Sequence, residues 1–395
     1  MGRIQLAALA MTALVATACT APAGSTPAST GSWRLLPPGP LSPREQAIAV
    51  GVGGRVLVVG GSDTRPCPPA ADCALPEEPP LNDGAVFDVR TGQWQRIGPA
   101  PVPMTWADSA VVGSTVYLWS PGSPRTGERQ AFVSYNLDSG MWDALPVPPV
   151  ADDRACCHIT LAGDRIVAYS GTDEWGEVPD HIFDPSVRRW AKLPPDPLSP
   201  SFDRSMVSSG SDLVLLDHEL VPQPGSDRPS LTRAAMLDLE SGRWRRLPDS
   251  QMLGVGEFVA VGGRLVNPSL GWADGGQNEW GRRYPNGGIL DPTTGRWSSL
   301  PEGPGGRDEW SAGVLASDAG HYVGDDGWLL DLDAGDWIDI PPRPAEHAAE
   351  ADGEMVSGGV VASADRSLFV FGGVRWLGGK SLEGELLTDA WLWTP

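Results

Sequence analysis

Apolar and polar positions along this chain fall into short alternating runs rather than helical stripes, and one phrase recurs. In AVFDVRTGQWQRI, residues 85 to 97, an apolar run closes on Asp88, a turn follows, and Trp94 stands six positions on. The same spacing joins Asn136 to Trp142, Asp184 to Trp190, Asp238 to Trp244, Asp291 to Trp297 and Asp331 to Trp337. A Gly lies two residues before the Trp in five of these six units (Gly92, Gly140, Gly242, Gly295, Gly335), and Arg188 takes its place in the other. The apolar run predicts a strand, the Gly a turn needing positive φ, and Trp-x-x-Leu or Trp-x-x-Ile the returning strand. Pro146, Pro194, Pro248, Pro301 and Pro341 then end that strand, because Pro has no N–H for a ladder. Earlier in the units, apolar pairs flank short Gly or Asp turns. Examples are AIAVGVGGRVLVVGG (47 to 61), ITLAGDRIVAYSG (159 to 171), FVAVGGRLV (258 to 266) and GVVASADRSLFVFGG (359 to 373), and each predicts two further strands.

The ends of the chain complete one another. Trp33-Arg34-Leu35-Leu36-Pro37 reads as a returning strand with nothing before it, whereas Asp389 to Trp393 reads as a third strand with nothing after it. Residues 33 to 37 are therefore expected to pair beside residues 389 to 393, closing a ring without open sheet edges. Returning strands marked by Trp33, Trp94, Trp142, Trp190, Trp244, Trp297 and Trp337 give seven units.

Four strands per unit, Gly-Gly after the second strand (Gly60-Gly61 and Gly372-Gly373) and a Trp in the fourth resemble Kelch repeats. The resemblance covers the chain after residue 32, although the middle units lack the Gly-Gly pair. It implies an all-β, seven-bladed β-propeller over residues 33 to 395, with the N-terminal strand completing the last blade. The repeat Trp residues are then expected to pack between blades.

Composition agrees with many turns: 49 Gly and 39 Pro stand in a chain that is 41% hydrophobic. A formal charge of −21 argues against nucleic acid, whose phosphates need a basic footprint, and for a soluble, self-repelling monomer. Residues 1 to 18, with Arg3, an apolar core from Ile4 to Val15 and Ala16-Thr17-Ala18, read as an export signal. The small residues before Cys19 resemble a bacterial lipobox, with Ala16 where that pattern prefers Leu. The resemblance implies lipidation at Cys19 and an anchor at the outer surface of the cell membrane; free secretion is the alternative. Residues 19 to 32 are a flexible tether. Export makes disulfides permissible, and spacing pairs Cys67 with Cys73 across a Pro-rich loop. The adjacent Cys156 and Cys157 are expected as a vicinal pair or as two buried thiols.

In a four-stranded meander the second-to-third connections and the unit-to-unit connections share one face, opposite the tight turns. Three connections there are long: 62 to 83, 267 to 287 and 373 to 388. Residues opening the first strands are expected at the same face, around the axis. Arg44, Trp106, Asp108, Arg154, His158, Arg204, Glu257 and Trp310 are thus candidate ligand contacts, or else pair with one another and plug the axis. Trp272, Trp280, Tyr284 and Trp376 are candidate stacking surfaces, with Arg282 beside them, or else Trp272, Trp280 and Tyr284 pack to order their own long loop.

No Gly-x-Ser-x-Gly, His-Glu-x-x-His, nucleotide-binding Gly-rich loop or EF-hand is present. Resemblance to the galactose oxidase propeller would imply a copper site of two Tyr, two His and a Tyr-linked Cys. The five Tyr and five His here do not map onto it. The expectation is a non-catalytic binding or scaffold module without metal or cofactor, engaging an envelope protein or glycan. The alternative is a secreted oxidase or sugar-modifying enzyme with its site at the channel mouth.

Overall fold

The computed structural model describes residues 31–395 apart from 69–70, 72, 74–77, 123–126, 128, 150–156, 257, 270–279, 304–313, 318–319, 324–327, 333, 345–354, 366 and 378–382. The chain is all-β, and the described residues form seven four-stranded antiparallel sheets and one three-stranded sheet. The first sheet contains Ile48–Val52, Arg55–Val59, Gly84–Asp88 and Gln93–Arg96. The second contains Asp108–Val112, Thr115–Ser120, Ala131–Asn136 and Met141–Leu145; the third, Cys157–Ala162, Arg165–Ser170, His181–Asp184 and Arg189–Lys192. Ser201–Ser209, Asp212–Glu219, Arg233–Asp238 and Arg243–Arg246 form the fourth, and Val259–Val261, Arg264–Asn267, Gly288–Asp291 and Arg296–Ser298 the fifth. The sixth contains Val314–Ser317, Gly320–Val323, Trp328–Asp331 and Asp336–Asp339.

The seventh sheet joins the two ends of the chain. Its order is Val360–Ala364, Ser367–Phe371, Ala390–Thr394 and then Ser32–Leu35. Trp33 stands opposite Trp393, and Leu35 opposite Trp391. The expected pairing of the first residues with the last is therefore present, with the first strand ending two residues early and the other three boundaries displaced by one.

The recurrent phrase has a local cause at every position. The acid or amide is the cap of its turn: Asp88 Oδ1 accepts the Thr91 N–H, and Asn136, Asp184, Asp238, Asp291 and Asp331 accept corresponding N–H groups. These hydrogen bonds hold the carboxyls of Asp88, Asp184, Asp238 and Asp291 below their ordinary range. The position before the Trp-bearing strand is left-handed throughout, from Gly92 at φ 67° to Gly335 at φ 72°. Arg188 adopts φ 55° there, so the exceptional unit keeps the same turn with a side chain that disfavours it.

Each repeat Trp then ties its sheet to the one before. Its indole N–H donates to the carbonyl of the residue four beyond the preceding repeat Trp: Trp94 to Pro37, Trp142 to Gly98, Trp190 to Pro146, Trp244 to Pro194, Trp297 to Pro248 and Trp337 to Pro301. Trp33 donates to Pro341 at 2.6 Å, continuing the series from the seventh sheet to the sixth. The Trp residues thus pack and also satisfy a carbonyl just beyond the end of the neighbouring strand.

Core clusters lie between sheets rather than within them. Val56 and Phe87 of the first pack with Phe369 and Leu392 of the seventh, and Ile48 and Leu57 of the first with Val116 and Val133 of the second. Corresponding clusters join second to third, third to fourth, fourth to fifth, fifth to sixth and sixth to seventh. Second strands such as RVLVV and SLFVF consequently read as unbroken apolar runs, because both of their faces are covered. Contact is closest at Gly51, where a Cβ would lie 1.6 Å from the Ser363 carbonyl oxygen. The Gly-Gly pairs serve the same approach. Gly61 donates to Met104 O of the second sheet's lead-in and Gly373 to Arg44 O of the first's, both from φ near 100°.

One expectation changes and another holds. The long connection 373 to 388 is not only loop, because Met355–Ser357, Val374–Trp376 and Gly384–Leu386 form the additional three-stranded sheet. Cys67 and Cys73 are disulfide-bonded with Cα atoms 5.9 Å apart, as their spacing suggested. Cys157 is buried, whereas Cys156 and the anchor residue Cys19 lie outside the described residues.

Candidate functional site

The end of the sheets that carries the second-to-third and sheet-to-sheet connections gathers most of the described candidates, but they play different parts. Arg44 is buried and uses its whole donor fork inside the protein. Nε donates to Ser42 O, Nη1 to Gly60 O and Asp83, and Nη2 to Ser42 Oγ and Asp83. Arg204 is also buried. It reaches back to the third sheet, donating to Ser170 O, Asp180 and Asp196. Both guanidiniums hold connections to their sheets, and the reading of them as ligand contacts gives way to this structural role. Trp376 changes likewise: it is buried in the three-stranded sheet and donates to Ser357 Oγ, so it offers no stacking surface.

Trp106 is the opposite case, being 72% exposed. Its indole N–H meets Gln46 Oε1 at 3.1 Å, across the boundary between the first and second sheets. Gln46, Trp106 and Asp203 share a left-handed backbone at φ 55°, 53° and 51°. Gln46 and Trp106 each stand two residues beyond the carbonyl that accepts from a Gly-Gly pair, and Asp203 sits in the register shift between Phe202 and Ser205. Each such residue costs about 1 kcal/mol, a cost tolerated where a side chain must be aimed.

Asp108 opens the first strand of the second sheet, His158 is the second residue of the first strand of the third, and there they meet. His158 Nδ1 lies 2.9 Å from Asp108 Oδ2, which also accepts the Ile159 N–H. The His158 ring packs 5.6 Å from that of Tyr169, and its Nε2 has no partner among the described residues. The hydrogen bond that the His158 ring donates to Asp108 raises the His158 pKa against the opposing effect of burial, and burial pushes the Tyr169 hydroxyl up to about 12. Burial likewise raises the Glu45 carboxyl on the first sheet's lead-in.

This arrangement gives a titration prediction. With its folded pKa above the unfolded value, the charged His158 contributes stability that is complete below about pH 6.5 and is lost as pH rises through the folded pKa. Asp108→Asn should move the NMR titration midpoint of His158 downward and remove that contribution. An unchanged midpoint would show that the carboxylate does not govern the ring.

A second His–Asp contact, His218 Nδ1 to Asp203 at 3.2 Å, is closed from behind by His218 Nε2 against Leu253 O at 2.8 Å. It fixes a bulge and presents no open nitrogen. Trp280, Arg282 and Tyr284 lie in or beside a single 3-10 turn, Trp280–Arg282. Trp280 and Tyr284 are half-buried, their rings 6.2 Å apart, and Arg282 is exposed. Trp280 donates to Gly225 O of the fourth sheet, so this ring serves packing across the sheet boundary. Trp175, 73% exposed on the second-to-third connection of the third sheet, escaped the sequence reading because nothing in its spacing marks it. Arg154, Glu257, Trp272 and Trp310 lie outside the described residues.

Comparison with models of known protein families gives no match for this chain. A search of curated proteins likewise finds none similar to it.

Proposed function

We propose that this chain is a Kelch-type seven-bladed β-propeller, exported and anchored through Cys19, that binds a partner at the cell envelope with the face carrying its long connections. The observation that carries the architecture is the series of seven Trp-to-carbonyl bonds, in which Trp33 reaches Pro341 and Trp94 reaches Pro37. A series that returns to its start is what a closed ring of sheets produces, and closure removes sheet edges. The binding role is supported by the exposed Trp106 and Trp175 on strained or connecting backbone at one end of the sheets. Among the described residues the opposite end carries tight turns such as those at Gly53 and Gly163.

Binding of a soluble Cys19→Ala chain to washed cell envelopes tests the proposal. Binding should saturate. A bulky polymer coupled through Glu177→Cys, on the connection-bearing face, should block it, and the same polymer through Ser241→Cys, on a tight turn, should not. Absence of saturable binding, or a block only from Ser241, would refute the proposal.

A second reading, an enzyme with its site at the same end, is favoured by the Asp108–His158 pair. A carboxylate-oriented imidazole with one open nitrogen is the geometry of a general acid or base. Its test is a turnover assay on envelope-derived sugars in which His158→Gln abolishes activity and leaves the envelope affinity unchanged.

A further inference from the structure

Between the fourth and fifth sheets lies a cavity of about 700 Å³, within the ~300–1,000 Å³ range of small-ligand clefts. One wall is the connection from Glu219 to Arg233, the second is the segment holding Asp249 and Gln251, and the third is Tyr284. These walls are tied together: Trp280 donates to Gly225 O at 2.7 Å, Thr232 N to Met252 O at 2.9 Å, and Ser250 N to Thr232 O at 3.1 Å. Arg283 lies 5.5 Å over the Trp280 ring and braces the same turn. The cavity is thus built by hydrogen bonds across two sheets.

Its chemistry is mixed. Arg233 is buried at its base, with Nε on Asp217 and Nη2 on Leu198 O, while Nη1 has no partner among the described residues. Glu219, Asp227 and Asp249 outnumber Arg228 and Arg233 by one, but Glu219 pairs with Arg228, Asp249 with Arg246 and Arg233 with Asp217, which leaves only the Asp227 carboxylate outside an ion pair among the described residues of the lining. Gln223 and Gln251 add amides that both donate and accept, and Tyr284 adds a half-buried aromatic face.

We propose that this cleft binds a neutral oligosaccharide. Sugar hydroxyls donate and accept at once, matching carboxylates, amides and guanidinium side by side, and the C–H face of a pyranose packs on an aromatic ring. A charged ligand would find the charges of the lining already paired, apart from Asp227. The inference deepens the reading of the molecule as a binding module by naming a ligand class and a cleft for it.

The test is calorimetric titration of the Cys19→Ala chain with cellotriose, chitotriose, maltotriose and trigalacturonate, with Trp fluorescence as a second readout. At least one neutral trisaccharide should bind. Tyr284→Ala should weaken it about tenfold, Tyr284→Phe should retain it, and Gln251→Ala should weaken it without changing the melting temperature. Failure of all three neutral sugars at millimolar concentration would overturn the cleft assignment. So would tighter binding of trigalacturonate, or affinity indifferent to both Tyr284→Ala and Gln251→Ala. Saturable envelope binding that survives Tyr284→Ala would then show that the binding-module reading stands without this cleft.

Discussion

Deletion of residues 33 to 37 is expected to remove most of the stability of the chain. The segment supplies most of the outer strand of the seventh sheet, pairs Trp33, Arg34 and Leu35 with Trp393, Leu392 and Trp391, and carries the Trp33 bond to Pro341. It also contains Leu36, which is buried in the cluster between the seventh and first sheets. Loss of a buried Leu costs about 2–5 kcal/mol, and the lost ladder and indole bond add about 1 kcal/mol each. The sum, about 4–7 kcal/mol, compares with a total of about 5–15 kcal/mol for ordinary domains. Pro37 O would also vanish as the acceptor of Trp94, so the damage reaches the first sheet. Urea denaturation should show a markedly lower midpoint or a lost cooperative transition. Arg34→Ala, at an exposed position of the same strand, should change stability by no more than about 0.5 kcal/mol. A deletion variant with an unchanged midpoint would show that the N-terminal strand is not part of the fold.

Arg204→Met is expected to produce the largest loss from a single side chain. Arg204 is 1% exposed, and its partners Asp180 and Asp196 are 8% and 6% exposed. Removing the cation leaves two buried carboxylates uncompensated, a defect worth about 3–5 kcal/mol at neutral pH. The pH dependence has a definite sign. Burial already raises the Asp180 carboxyl, with Arg204 acting against it, and burial raises Asp217 as well. A carboxyl with a raised folded pKa contributes stability below its unfolded value, near 3.8, and loses it as pH rises through the folded pKa. Arg204→Met raises Asp180 further, so its deficit should be small near pH 4 and grow toward pH 7. Asp180→Asn in the same chain should restore part of the loss at pH 7. A deficit below about 1 kcal/mol at both pH values would contradict the assignment of these groups as one network.

Much of this architecture was legible because one local phrase repeats with a physical reason at each position. The acid caps a turn, the Gly takes positive φ, and the Trp six residues on reaches a neighbouring carbonyl. Even Arg188, which breaks the pattern in sequence, keeps it in backbone conformation. The candidate site was less legible, because the partner of a charge is not encoded near it. Asp83, which holds Arg44, is 39 residues away, and Asp180, which holds Arg204, is 24 residues away. Arg44 and Arg204 could therefore be read as ligand contacts or as paired charges until the fold showed their Nη groups bonded to carboxylates. Trp376 read as an exposed ring because its short strands, VRW and GEL, carry too little alternation to announce a sheet. The meeting of Asp108 with His158 needed only the alignment of first strands, and that much the repeat supplied.

Hydrogen exchange across residues 32–36, read peptide by peptide by mass spectrometry, tests the closure on which everything else rests. If Ser32–Leu35 is the last strand of the seventh sheet, its paired amides should exchange only as slowly as those of Ala390–Thr394, and both should weaken together as urea is added. Exchange of residues 32–36 at the rate of an unprotected tail, while Ala390–Thr394 stays protected, would contradict the ring.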